Sequence, residues 1–269
     1  MSGKENQSSE DNFNEARLTN RGYETLFKAQ QSINVFSNKN AHNYFRHGVI
    51  VRLCLIIESR NLLVDLISKK NGNRTDTTLE NIYLNSMYIN MIATFDNVAW
   101  ALQHEHNLIE GANENNPQKR EIGIYNTKFF EKLRIEDENL HINLKVYKAW
   151  YEKLKDFRDP VAHRIPLYCP PISITDAKEF EEYNNLNTKL SEVKYKDNPQ
   201  QYMELVDKLH HIGSFQPVFI VLSENEILSY DLRKTTHADY KSFLEVMDMF
   251  FTWISKRERG QAELNEGKA

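Results

Sequence analysis

Two apolar runs, Tyr44–Ser68 and Leu79–His106, follow one another with a short polar stretch between them. The first carries Val49, Ile50, Val51, Leu53, Cys54, Leu55, Ile56 and Ile57, then Leu62, Leu63, Val64, Leu66 and Ile67. A helix that is apolar on nearly all sides belongs at the centre of a fold. Asn71-Gly72-Asn73 supplies the stop, and Thr77-x-x-Glu80 has the form of a capping box for the next helix. That helix carries Ile82, Tyr83, Met87, Ile89, Met91, Ile92, Phe95, Val98, Ala99, Trp100 and Leu102. Two long apolar helices with a short connection predict an antiparallel helical hairpin.

The other periodic segments fit around that hairpin. A first helix is predicted over 16–36, a short one over 125–133, and a narrow-striped one over 140–157 through Leu144, Tyr147, Trp150, Tyr151, Leu154 and Phe157. Beyond Pro170-Pro171, Asp176-x-x-Glu179 opens a thin-faced helix to about Tyr195, and another covers 201–211. Val218–Leu222 and Ile227–Leu232 read as two strands around the polar turn 223–226. Thr236-x-x-Asp239 has the spacing of a cap for the last helix. The predicted fold is mainly α, an antiparallel helical bundle with a small C-terminal β-hairpin. The predicted organisation is one helical domain over 15–255, with peripheral additions at about 172–235, between polar tails at 1–14 and 256–269.

Composition excludes several functions. The net charge is −4, so a nucleic-acid contact must rest on a local basic patch. No Gly-x-Gly pair and no Gly-Lys-Ser/Thr loop is present, which removes the backbone needed for dinucleotide or P-loop binding. Cys54 and Cys169 are the two cysteines. Cys54 falls in an apolar run suited to a buried thiol, and two isolated thiols fit a reducing cytoplasm. No apolar run approaches the ~20 residues of a membrane helix, so no membrane association is expected. His104-x-His106, His210-His211 and His42 with His47 lack a Cys or carboxylate cluster at ligand spacing, and surface or capping roles are expected for them. No metal and no cofactor is expected.

Chemistry concentrates in Phe157-Arg158-Asp159-Pro160-Val161-Ala162-His163-Arg164-Ile165-Pro166-Leu167-Tyr168. Asp followed by Pro is a helix-start signal, with Asp159 as cap and Pro160 at the first helical position. Arg158 would then stand just outside a helix N-terminus, where partial positive charge and free N–H groups suit a phosphate, and His163 about one turn inside. Pro166 limits such a helix to one or two turns. Asp96, in the apolar part of the second long helix, has two readings: solvent-facing, or a partner that orients Arg158 or His163.

The spacing Arg158-Asp159-x3-His163 resembles the Arg-x4-6-His signature of the HEPN superfamily of helical-bundle domains, many of them metal-independent RNases of toxin, antiphage and RNA-processing systems. His163-Arg164-Ile165-Pro166-Leu167-Tyr168 and Asp96-Asn97-Val98-Ala99-Trp100-Ala101-Leu102 add to the resemblance. A second pair at the allowed spacing, Arg134 and His141, lies in the acidic run Ile135-Glu136-Asp137-Glu138, which repels phosphate, and is read as a chance match.

The resemblance implies an endoribonuclease in which His163 is general base and acid, Arg158 stabilises phosphate and Asp159 orients Arg158. Asp96, Arg164 and Tyr168 would support the site. It also implies a homodimer with two motifs facing one cleft, RNA as substrate, and an antitoxin or regulatory protein as a further partner. The alternative is a catalytically silent HEPN-like module that holds RNA, a nucleotide or a protein.

Overall fold

The computed structural model describes residues 2–70, 76–163, 165–222 and 226–266, and for 2–13, 159–163 and 258–266 it describes the backbone alone. The helices are α1 (Ser2–Ser32), α2 (Lys39–Asn43), α3 (Val51–Ser68), α4 (Thr78–His106), α5 (Thr127–Glu136), α6 (Glu138–Lys145), α7 (Lys148–His163), α8 (Ala177–Glu192), α9 (Pro199–His210) and α10 (Leu232–Glu266). Between α9 and α10 lies one antiparallel hairpin, β1 (Val218–Leu222) with β2 (Ile227–Asp231), in the register Ile220 opposite Ser229. The predicted helical bundle with a β-hairpin is the observed fold.

The hairpin of α3 and α4 forms the centre, as its apolar runs require. Leu53, Ile56, Leu63, Leu84, Met91, Phe95, Val98 and Leu102 are wholly buried. The chain enters α3 through a π-helical segment, Tyr44–Ile50, whose Gly48 lies against Asn97 of α4. A Cβ at Gly48 would stand 2.5 Å from the Asn97 amide carbon, so glycine is what permits this close approach.

Side-chain pairs fix the neighbours. Thr19 meets Asn61, Tyr23 meets Glu58, and Gly22 lies against Ile57, so α1 runs antiparallel to α3. Tyr88 packs on Phe157 and Phe95 on Tyr151, so α7 runs antiparallel to α4. Helices α1, α3, α4 and α7 thus form one layer in that order. Behind it lies α10, parallel to α1 through Arg21–Glu245, Thr25–Asp248 and Ser32–Ser255. Arg60, 2 % exposed, joins the two layers: it pairs with Glu15, donates to the Thr19 hydroxyl at 2.9 Å, and its guanidinium lies over the Tyr240 ring.

Several local expectations are corrected. Helical backbone extends through 2–14 and 256–266, the segments read as tails; the second is rich in Glu, Gln, Lys and Arg, and each continues a helix that a buried stretch has already nucleated. The stripe over 140–157 is split at 146–147 into α6 and α7, with α6 capped by Asp137. The Thr77 capping box does not form: Asp76 accepts from Thr78 N–H, Thr77 donates to the Cys169 carbonyl, and buried Glu80 pairs with Lys70. Helix α10 begins four residues before Thr236, with Asp231 accepting from Lys234 N–H. Cys54 is exposed, because α3 turns that position outward beside α1. β1 places Phe219 and Val221 in the main core, so the hairpin belongs to the bundle, whereas α8 and α9 carry a small core of their own at Leu186, Leu205, Leu209 and Ile212. The turn residues 71–73 and 223–225 lie outside the described residues.

Two histidines make stability pH-dependent. Burial holds His106 and His237 below the usual imidazole range, reinforced by Arg257 and Arg60 respectively. A depressed folded pKa means that the unfolded chain binds protons more readily, so this stability is present above ~6.5 and lost as pH falls below it. Urea midpoints should therefore drop between about pH 7.5 and 5.5, and His106→Gln should flatten part of that slope, read by circular dichroism at a series of pH values.

Candidate functional site

The motif helix is held by what surrounds Phe157. Its ring is wholly buried in an aromatic box, 5.1 Å from Tyr88, 5.6 Å from Phe219 and 5.1 Å from Tyr230, each edge to face. One and two turns earlier, Leu154 and Tyr151 are buried, and Trp150 donates to Asp239 at 3.0 Å. Tyr88 donates to the other oxygen of the same carboxylate at 2.7 Å. Burial raises the pKa of Asp239, while the Tyr88 and Trp150 hydrogen bonds oppose that shift. This network fixes α7 along its axis, and Arg158, next to Phe157, is half-buried.

The Asp159-Pro160 reading is overturned. No helix starts there: α7 runs from Lys148 through Pro160 to His163. A proline in a helix interior lacks one backbone hydrogen bond and costs about 3 kcal/mol. The anchors at Tyr151, Leu154 and Phe157 outweigh it, and the helix ends one turn later, three residues before Pro166. Arg158 therefore lies inside a helix near its C-terminal end, where the partial charge is negative. Phosphate affinity from a helix N-terminus is lost, and any anion must be held by cationic side chains. Between Lys145 and Arg164 the sequence has six basic residues against three acidic ones, a local excess in a chain of net charge −4.

Arg158 and His163 share one helix, five residues apart. This separates them by about 7.5 Å along the axis and roughly 140° around it. The side chains of Asp159 and His163, and all of Arg164, lie outside the described residues. Asp96 is on the exposed side of α4, next to Phe95 and so level with Tyr151. That is about 10 Å along the axis from Arg158, a span that an arginine leaning toward the start of its helix largely covers.

After the helix the chain turns extended and is tied to α4. Asn85 accepts from Leu167 N–H at 3.0 Å and donates to the Leu167 carbonyl at 2.7 Å. Asn81 accepts from Cys169 N–H at 2.6 Å, and Thr77 donates to the Cys169 carbonyl at 2.7 Å. Tyr168, between them, pairs its backbone with Ile220 of β1 and leaves its side chain exposed. Sequence reading missed this clamp. Its signal was the pair of amides at 81 and 85, one turn apart on one side of α4.

The remaining groups are structural. His141 is buried with its ring 4.1 Å from Phe130, and Arg134 pairs with Glu131, so the second Arg/His match forms no site. His104 bonds Glu114 at 2.9 Å and His106 packs on Trp253. Burial pushes the Cys169 thiol up to about 12, which makes it a poor nucleophile. Among the described residues no three His, Cys, Asp or Glu side chains are grouped to hold a metal, and no helix is long and apolar enough to cross a membrane.

The clamp is testable. Asn85→Ala removes both hydrogen bonds to Leu167 and should cost about 1–3 kcal/mol. Amide exchange at Leu167 should accelerate in this variant, read by hydrogen–deuterium exchange, with α3 and α4 protection unchanged.

Comparison with protein-family models, with curated proteins and with solved structures returns no match.

Proposed function

We propose that this chain is a HEPN-like, metal-independent endoribonuclease, of the kind found in toxin or antiphage systems, with Arg158 and His163 as its reactive pair. The observation that carries this reading is the placement of Arg158. It follows the most tightly boxed aromatic of α7, so its backbone is fixed, while its side chain stands half-buried at the edge of a helix with a local excess of positive charge. A helical bundle that holds such a pair at the end of one helix agrees with the family resemblance of the motif.

The chemistry follows from RNA itself. The 2′-hydroxyl attacks the adjacent phosphorus once its proton is removed, the 5′-oxygen leaves with a proton, and a 2′,3′-cyclic phosphate remains. His163 serves as general base or acid. Arg158 holds the nonbridging oxygens and stabilises the charge added in the transition state. Asp159 and Asp96 orient the guanidinium, and Arg164 and Tyr168 support the substrate. One imidazole does not reach both sides of a phosphorus, and the angular separation of Arg158 and His163 on one helix widens the problem. A homodimer that brings two motifs to one cleft resolves it.

The test is cleavage of structured RNAs in excess EDTA. Wild type should leave 2′,3′-cyclic ends, and His163→Ala should lower the rate ~10²- to 10⁴-fold without changing the circular dichroism spectrum. Arg158→Ala should lower it similarly. Cleavage that needs magnesium or survives His163→Ala undiminished excludes the mechanism. Binding of RNA without cleavage would favour the second reading, a silent module that retains the basic α7 surface as a binding site.

A further inference from the structure

The β-hairpin belongs to a wider sheet with one closed edge and one open edge. Tyr168 and Ile220 exchange both backbone hydrogen bonds, at 3.4 Å and 2.9 Å, so the extended chain at 167–169 lies along one side of β1 and β2 along the other. On the far side of 167–169 the backbone groups of Leu167 and Cys169 are taken by Asn85, Asn81 and Thr77. That edge is closed. Because Ile220 turns its N–H and carbonyl toward Tyr168, its pairing with Ser229 carries no hydrogen bonds. The bonded pairs of the hairpin are then Phe219 with Tyr230 and Val221 with Leu228. Ile227 and Ser229 therefore point their backbone groups away from β1, out of the free edge. Among the described residues the Ser229 backbone meets no hydrogen-bond partner.

Exposed edge strands are ordinarily protected by lysine, proline, a bulge or a covering element. Between its ends β2 has none of these. Ile227-Leu228-Ser229-Tyr230 is uncharged, its register with β1 is unbroken, and Ile227 and Leu228 are 74 % and 38 % exposed. Outward N–H and carbonyl groups at strand spacing are matched by another extended backbone, the geometry of strand addition.

Charge selects the occupant. The ends of this stretch carry Glu226 and Asp231, both acidic. A second copy of β2 would bring two more carboxylates to the same edge and no cation, and like charges across a strand pair are unfavourable. The register places Ile227, Ser229 and Asp231 on the solvent face of the sheet, and Leu228 and Tyr230 on the face of Phe219 and Val221. An antiparallel strand from another protein fits this edge when it sets Lys or Arg opposite Asp231, apolar side chains opposite Tyr230, Leu228 and Ile227, and a hydroxyl opposite Ser229.

We infer that the open edge of β2 is a docking site for an extended segment of a partner protein, added as an antiparallel strand with a basic residue opposite Asp231. The site stands on the hairpin alone and is independent of the ribonuclease reading.

The probe is a synthetic peptide, Lys-Val-Thr-Val-Ile between flanking serines, titrated into the full chain and followed by calorimetry and amide NMR. Binding should saturate at roughly millimolar peptide or below. The Ser229 amide should become protected from exchange, while those of Leu228 and Tyr230, already bonded to β1, stay as they were. Ser229→Pro removes an outward N–H and spares the bonds to β1, so it should abolish binding with the circular dichroism spectrum unchanged. The same peptide methylated on its threonine nitrogen tests the matching hydrogen bond on wild-type protein, free of any effect of proline on folding, and should not bind. Asp231→Asn keeps the acceptor for Lys234 N–H and removes the charge; it should weaken binding about two- to fivefold. No saturable binding, undiminished binding of the methylated peptide, or protection that falls elsewhere than β2 would overturn the site. Protection of Ser229 that grows with protein concentration in the absence of peptide would overturn the choice of occupant in favour of a second copy.

Discussion

A carboxylate buried inside three helices organises this molecule. Asp239 of α10, 4 % exposed, accepts from Tyr88 of α4 and Trp150 of α7. An ionised carboxylate moved out of water without partners costs several kcal/mol or more. The two donors must therefore reach it in the folded state, and each comes from a different helix. Satisfying the charge sets the relative heights of α4, α7 and α10 together. Apolar packing alone is nearly indifferent to a helix sliding by part of a turn, and a directional hydrogen bond is not.

Everything on the candidate site inherits its position from that height. Phe157 reaches its box between Tyr88, Phe219 and Tyr230 only if α7 stands where Trp150 holds it. Arg158 is then set on the flank of the layer. The chain after the helix is drawn back over α4 by Asn81 and Asn85, which replace the hydrogen bonds that an extended segment would otherwise seek in a sheet. The motif lies between these two restraints, one apolar and one polar.

The front layer has a different character from the back. The back is closed by α10, whose Phe243, Met247, Phe250 and Phe251 are buried. The front leaves Leu55 and its neighbours exposed, and there Arg52 donates to Asn90 while Glu58 accepts from Tyr23.

Helix existence and order were legible in the sequence because period and burial agree: the runs over 44–68 and 79–106 are too apolar to lie anywhere but the centre, and the short runs at 218–222 and 227–232 around a polar turn matched the two strands, the second ending at Asp231. Caps were less legible, since Thr77 and Thr236 each have a side chain able to cap but bond a carbonyl instead, and no helix starts at Asp159. The amides at 81 and 85 looked like polar interruptions until the chain eighty residues later lay across them. Sequence alone determined a helical bundle with a short hairpin and the co-location of Arg158 and His163 on a short segment, because those depend on local period and spacing. Only the tertiary structure decided that α7 passes through Pro160, because the anchoring energy of Phe157, Leu154 and Tyr151 comes from residues far away in the chain and exceeds the local cost of a proline.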